Sequence, residues 1–518
     1  MQIFISFILH ETNASTTGHK PNGGTSKALR GGAPPLALSA GTLAKTNSTR
    51  MKNKIMTISI VLFSLLGCKN EGEKKVVTQN EQTIDQNEIK RIAKETYIAL
   101  FPLVYNYGTM YNQAINKNAT EYIGGFGVYK HYGLSTPENR DIPTPNNNTP
   151  YSWAWVDLRL EPWVLTMPPS DDNRYYVCQW DDMWGYVIDA PGSIIDGQDG
   201  GNYLLTTKEF DGPIPKGIKR AIYSESQFIG TLTRTGVNGQ DDIPAMEDIQ
   251  NGYILQPLSS YIGSEPKVIS ENINWLRYES RDLKNINFFK YANFMLDYII
   301  PNKADQTMLE NAKKIGVEAG REWQLNKMDS SFVLAINTGI EEALREIDQQ
   351  VAITNDGNKL FNTREVIGED YLNRTVGVVV GQFGNYPTQA IYPSFQTDIN
   401  GELLDGSKKN YSITFSADEL PKSDYFWSFT MYDLPNRFLV ENSINRYSIG
   451  SQTKSSKKDT DGSMTIYFQM DYPGQEREGN WLPTPEGPFY TVLRIYGPDD
   501  KLLNGPYKLP EIIGVQKN

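Results

Sequence analysis

Apolar and polar positions change rhythm four times along the chain. From Ile84 to about Ile115 the residues Tyr97, Phe101, Val104 and Tyr111 recur at helical spacing, which predicts an amphipathic helix leading the folded part over residues 84–119. Residues 120–260 break into short β-branched and aromatic runs, "WAWVDLRL", "RYYVCQW", "GYVIDA", "NYLLTT" and "FIGTLTRT", parted by Gly, Pro, Asn and Asp. That pattern predicts an antiparallel β-sandwich. Over 261–365, "INFFKYANFMLDYII", "TMLENAKKIGVEAGREW" and "FVLAINTGIEEALREIDQQV" carry apolar residues three and four apart. They predict three helices, punctuated by Pro301 and by Asp329-Ser330-Ser331. From 366 to 518 strand-like alternation returns in "YSITFSA", "YFWSFTMYDL", "MTIYFQMDYP" and "FYTVLRIYGP", the mark of a second sandwich of jelly-roll type. The expected fold is multidomain and mainly β, with a helical insertion between two sandwiches.

A different signal lies upstream. In "MKNKIMTISIVLFSLLGCKNEGEKK", starting at Met51, two lysines precede a mostly apolar run from Ile55 to Leu66 that ends in Leu65-Leu66-Gly67-Cys68. The run is shorter than the roughly 20 residues that span a bilayer, and its basic start and apolar centre are those of a secretory signal. Residues 51–67 are thus expected to be a lipoprotein signal peptide, cleaved before a lipidated Cys68. The polar stretch 68–83 suits a flexible tether. Residues 1–50 read as an upstream mis-start or dispensable extension. The expected location is the bacterial cell envelope, lipid-anchored and either periplasmic or surface-exposed.

Charge and composition narrow the chemistry. The formal charge is −11, but residues 1–67 are basic, so the remainder carries 43 basic against 60 acidic residues. That acidity excludes nucleic acid as a partner and leaves the lipid anchor as the one route to a membrane. With three histidines and two cysteines in the chain, a His-based metal cluster cannot form downstream, and neither a metal nor a cofactor is expected. There is no G-x-S-x-G elbow, P-loop, dinucleotide fingerprint or H-E-x-x-H motif. Cys178, in a strand with no nearby His, reads as a small core residue. What remains is carboxylates, arginines, amides and aromatics around strand ends. Asp157, Asp181 and Asp242 are the candidate acid and base groups. Asn148, Tyr151, Arg174, Tyr176, Arg234, Asn445, Arg446, Asn480 and Trp481 are the candidate ligand contacts, arginines to hold an anionic group and aromatic faces to stack on a sugar ring. The same residue types also cap turns and pair with one another.

The block "YFWSFTMYDLPNRFLVENSINRYSIGSQT" with "DGSMTIYFQMDYPGQEREGNWLPTPEGPFYTVLRIYGP" resembles the domain of unknown function DUF1214. "NNNTPYSWAWVDLRLEPWVLTMP", "RYYVCQWDDMW" and "GTLTRTGVNGQDDIPAM" resemble its partner DUF1254. The resemblance covers about Glu95 to Pro510. It implies an immunoglobulin-like β-sandwich, a helical insertion and a C-terminal jelly-roll β-sandwich, and it supplies no activity. Where the family pattern has Asn-x-Asp-Thr-x-Tyr, this chain has Asn146-Asn147-Asn148-Thr149-Pro150-Tyr151. An amide at 148 keeps hydrogen bonding but cannot serve as a base. Pro150 pushes Thr149 toward an extended backbone and the amides can close Asx turns, so the loop should enter its strand through a defined turn. Asn148 and Tyr151 are expected to face a cleft with Arg174 or Asp181.

Two functions from different classes follow. One is an envelope-anchored enzyme, a hydrolase or lyase acting on a glycan or other polar small molecule by carboxylate acid and base chemistry. The other is a non-catalytic ligand-binding or structural surface lipoprotein.

Overall fold

The computed structural model describes residues 85–140, 144–171, 173–265, 267, 272–354, 357–505 and 507–517. The signal peptide, the lipidation site Cys68 and the tether lie outside the described residues.

Helix α1, Gln86–Met110, opens the fold and continues as a π-helical turn over Tyr111–Ile115. It is buried on nearly every side, with Ile92, Tyr97, Leu100, Val104 and Tyr107 fully covered, so it forms an axis of the core rather than a surface helix. Around it pack α2, Phe288–Leu296, α3, Gln306–Lys314, α4, Ser330–Ile353, and α5, Tyr371–Gly381. The Asp329 carboxylate accepts from the Ser331 N–H and caps α4, as the Asp-Ser-Ser punctuation indicates. The helical layer runs past 365 into α5, whose valine-rich "YLNRTVGVVVG" reads as strand-like. Tertiary contact overrides that propensity: the Thr375 hydroxyl donates to Ile98 O at 2.6 Å, and the Arg374 guanidinium donates to Ala99 O.

The first sandwich has one sheet in the order β1 (Lys130–His131), β2 (Tyr151–Asp157), β8 (Phe228–Thr235), β4 (Tyr176–Asp182) and β5 (Val187–Asp189). Its second sheet runs β7 (Ile218–Ser224), β6 (Gly201–Thr207), β3 (Trp163–Met167) and β9 (Ile254–Pro257), with β6 and β7 parallel. The second sandwich sets β10 (Ala390–Ile391), β17 (Phe489–Pro498), β13 (Ser423–Asp433) and β14 (Ser448–Gly450), with β11 (Ser394–Phe395) also on β17, in one sheet. The other sheet is β16 (Trp481–Pro483), β15 (Met464–Gln469), β12 (Lys409–Phe415) and β18 (Ile513–Gln516).

Strand alternation gives each inner sheet two unlike faces. In β2, β8 and β4, Val156, Ile229, Cys178 and Trp180 fill the first sandwich. On the opposite face, Trp155, Phe228 and Leu232 join the helical core. In β13 and β17, Trp427, Phe429, Met431, Leu493 and Ile495 fill the second sandwich. Their alternates Thr430, Tyr432, Tyr490, Val492, Arg494 and Tyr496 turn outward and are nevertheless buried. The first sandwich and its Asn-rich loop cover them.

Candidate functional site

The cover is built by the loop before β2. The Asn146 side-chain carbonyl accepts from the N–H groups of Asn148 and Thr149 at 2.9 and 3.2 Å, closing an Asx turn, and its amide donates to the Tyr496 hydroxyl at 2.7 Å. Asn148 reaches the second sandwich with both ends of its amide. Its oxygen accepts from the Ser428 hydroxyl at 2.8 Å and its nitrogen donates to the Ser448 hydroxyl at 3.1 Å. The Pro145 carbonyl accepts from Tyr432 at 2.7 Å. The Asn-rich loop is therefore a clasp between sandwiches.

Behind the clasp two arginines meet a group of tyrosines. Arg234 on β8 and Arg494 on β17 are each 4% exposed. Arg234 donates to Leu232 O at 3.0 Å and Phe383 O at 2.6 Å, and its guanidinium lies 5.6 Å from the Tyr151 ring centre. Arg494 lies 5.6 Å from the Tyr432 ring centre, interacts with that tyrosine's side chain by hydrogen bonding, and reaches Thr144 O at 3.5 Å; its Nη1 finds no further acceptor. Among the described residues no carboxylate lies within ion-pair distance of either guanidinium. Tyr151 and Tyr496 stand close enough to both arginines to act on each electrostatically. Tyr175 and Tyr392 line the Arg234 side and share the Asn385 amide, at 3.2 and 2.9 Å. Burial pushes the phenols of Tyr175, Tyr392, Tyr432 and Tyr496 up, so they stay neutral; the guanidiniums stay charged. Tyr151 and Tyr392 are only half-buried among these covered groups, so this arginine–tyrosine cluster meets solvent along their edge.

Asp181 adjoins this cluster on the Arg234 side. Gln179 donates to it at 2.9 Å and to Gly384 O at 2.9 Å, while Phe383 O receives Arg234. Asp181, Asn106, Gly185, Phe383 and Gly384 line a narrow cleft whose free volume is only about 10 Å³, room for a water molecule. Burial pushes the Asp181 carboxyl up to about 8, against the opposing pull of Gln179 and Arg234. Across the strand Asp182 is pushed up to about 7 by burial.

The other residues singled out in the sequence lie elsewhere. Asp157 is in a fork with Arg159 at 2.7 to 3.1 Å. Asp242 pairs with Arg174, both contacts at 2.7 Å, and Arg174 also holds Asp171; neither lines the Asp181 cleft, and Asn148 does not line it either. Tyr176 points into the first sandwich, because β4 alternates and its even-numbered residues face the core. Asn480 bonds only backbone groups, of Lys457 and Thr465, and the Trp481 indole donates to Gln469 O at 2.7 Å. Arg446 holds the same turn through Glu478 O and Trp481 O, and the Asn445 side chain accepts from Tyr447. These four residues brace loops of the second sandwich. Of the sequence candidates, the structure gathers Asn148, Tyr151, Arg234 and Asp181. Arg494, Tyr392 and Tyr496 were missed, although an arginine on the tyrosine-bearing side of "FYTVLRIYGP" was the available signal.

Two β-sandwiches in one chain, set on a helical layer and meeting over a buried polar cluster, define the class. The family models agree with it: the protein of unknown function DUF1254 matches residues 127–257 and the protein of unknown function DUF1214 matches residues 389–500. The chain is a DUF1254/DUF1214 domain-containing protein. It is similar to the VPA0106 protein from Vibrio parahaemolyticus, whose crystal structure aligns at TM-score 0.68 and 26% identity, covering 83% of this chain and all (100%) of that one. A putative uncharacterized protein from Burkholderia cenocepacia aligns at TM-score 0.39 and 11% identity, over 83% of this chain and 95% of that one. No curated protein matches. Among the described residues no helix is long and apolar enough to cross a membrane, and no group of His, Cys, Asp and Glu side chains is placed to hold a metal ion.

Proposed function

We propose that the protein captures a small anionic molecule in the arginine–tyrosine cluster while a lipidated Cys68 holds it at the bacterial envelope. One observation carries the capture: Arg494 and Arg234 are both buried, and among the described residues neither guanidinium has a carboxylate partner, Arg494 being left with the Tyr432 side chain and a long contact to Thr144 O. Desolvating a guanidinium costs several kcal/mol unless an anion and hydrogen bonds offset it. An anionic ligand would supply what the chain withholds, and the tyrosine rings offer faces for an apolar body.

Turnover of a glycan by paired carboxylates has less support. Asp157 and Asp242 are each engaged by an arginine of their own, and Asp182, the carboxyl nearest Asp181 in the chain, is taken up by the Tyr186 N–H instead of standing free for the paired chemistry such turnover uses.

A thermal-shift screen of the full chain against small acids, glycans and lipids tests the reading, because any specific ligand stabilises by mass action. Small acids are expected to raise the melting temperature, and Arg494→Met to abolish the rise. Stabilisation by neutral glycans that survives Arg494→Met would remove it. The anchor rests on the basic, apolar and Leu-Leu-Gly-Cys succession. Intact-mass analysis of the native product should show residues 1–67 gone and a lipid on Cys68; an unmodified chain that keeps them refutes it.

A further inference from the structure

Resting on that reading, we propose that the cluster selects compact dianions, molecules with two negative charges, and that one guanidinium from each sandwich takes one share of the charge. Two buried guanidiniums, one from each sandwich, stand without a carboxylate partner among the described residues. Arg234 comes from β8 of the first sandwich and Arg494 from β17 of the second, and Tyr151 and Tyr496 act electrostatically on both. The cluster thus holds two positive charges, while its other side chains are phenols and amides. Arg437 stands apart at the Tyr490 edge, 6.0 Å from that ring. Asp181 is the nearest carboxyl group on the Arg234 side. It is tied to Gln179 at 2.9 Å in the adjoining cleft, and no ion pair joins it to Arg234. A monoanion would leave one buried guanidinium uncompensated. A dianion neutralises both, and guanidinium forks meet planar or tetrahedral oxyanions with paired hydrogen bonds. Acceptors of the same cluster, Thr430 Oγ1 and Asn385 Oδ1, are buried without partners. They can accept from a protonated oxygen or hydroxyl on the same ligand.

The shared chemistry fits a tetrahedral oxyanion and a short dicarboxylate alike, so the experiment separates them. The melting temperature of the full chain is measured with sulfate, succinate, nitrate and acetate at matched ionic strength. Concentrations stay in the low millimolar range, below that where excluded salts stabilise proteins generally. Sulfate or succinate should raise it and nitrate and acetate should not; whichever dianion acts names the geometry. Equilibrium dialysis against labelled sulfate or succinate, with Arg494→Lys as the conservative variant, guards against a variant that fails to fold. The lysine keeps the charge but loses the fork, and half-saturation should move by about tenfold or more. Equal stabilisation by monoanions and dianions overturns the dianion assignment and leaves the capture reading standing. No response to any of the four, with Arg494→Met melting at or above the wild-type temperature, overturns both.

Discussion

Replacing Asn148 by Ala tests the clasp. The amide makes two hydrogen bonds from the first sandwich to the second, at 2.8 Å from Ser428 and 3.1 Å to Ser448. Each contributes about 1 kcal/mol net. Ser428 is only 3% exposed, so truncation also strands its hydroxyl away from water, adding about 1–2 kcal/mol. The expected loss is about 2–4 kcal/mol. Urea denaturation followed by tryptophan fluorescence reads it, as a lower midpoint at unchanged slope. A loss below about 0.5 kcal/mol, the scale of an ordinary surface substitution, would show that the clasp contributes nothing to joining the sandwiches. A fall in slope instead of midpoint would show that the sandwiches already unfold separately.

Asn148→Asp should melt at or above the wild-type temperature, since a carboxylate accepts from both serine hydroxyls and lies beside Ser428, the cross-strand partner of Arg494; the same variant should lose its response to added anions, and an unchanged response refutes the cluster as the binding place. Asp181→Asn should flatten the pH dependence of stability. The folded carboxyl is raised from 3.8 to about 8, so between these values the unfolded chain releases a proton that the folded chain keeps, and stability falls as pH rises through the window. Thermal melts from pH 5 to 9 that fall equally in both proteins would contradict this. Arg364→Ala should cost about 3–5 kcal/mol, because Arg364 lies 2.6 Å from Glu225 and 3.1 Å from Asp305, two carboxylates buried where the first sandwich meets the helical layer; a chemical-denaturation midpoint close to wild type refutes it.

The order of elements was legible because periodicity reports which face is covered, and both sandwiches and α4 have the spacing their burial demands. Helix α5 was not legible as a helix, since its valines are chosen for contact with α1 rather than for propensity. The site was half legible. Tyr151 and Arg234 stand out as polar or cationic groups in otherwise apolar strands, and the amide run before Pro150 marks a turn. The remaining candidates failed for one physical reason: a sequence shows that an Asp or Arg is present but not whether a neighbour in space already satisfies it. Asp157 meets Arg159 two residues on, whereas Arg174 meets Asp242 after a long excursion of the chain. Arg494 escaped notice for the converse reason, because its strand looks like an ordinary core strand until the sheet facing it is known.

That last point bears on why the two domains share a chain. Taken alone, the first sandwich would leave Arg234 hydrated on an outer face, and the second would do the same for Arg494. Bringing the faces together removes both from water, and without a counter-ion this opposes assembly. The aromatic layer and the Asn146 and Asn148 contacts must outweigh it. Tyr175 packs tilted against Tyr496 at 4.8 Å between ring centres, and Phe426 stacks on Tyr496 at 4.4 Å, pairs worth about 0.5–1.5 kcal/mol each beyond the area they bury. An anion entering the cluster reverses the sign of the arginine contribution, so ligand binding and closure of the two sandwiches are one equilibrium. A site assembled from one arginine of each domain exists only when both are present. On the capture proposal, neither domain by itself should respond to an added anion.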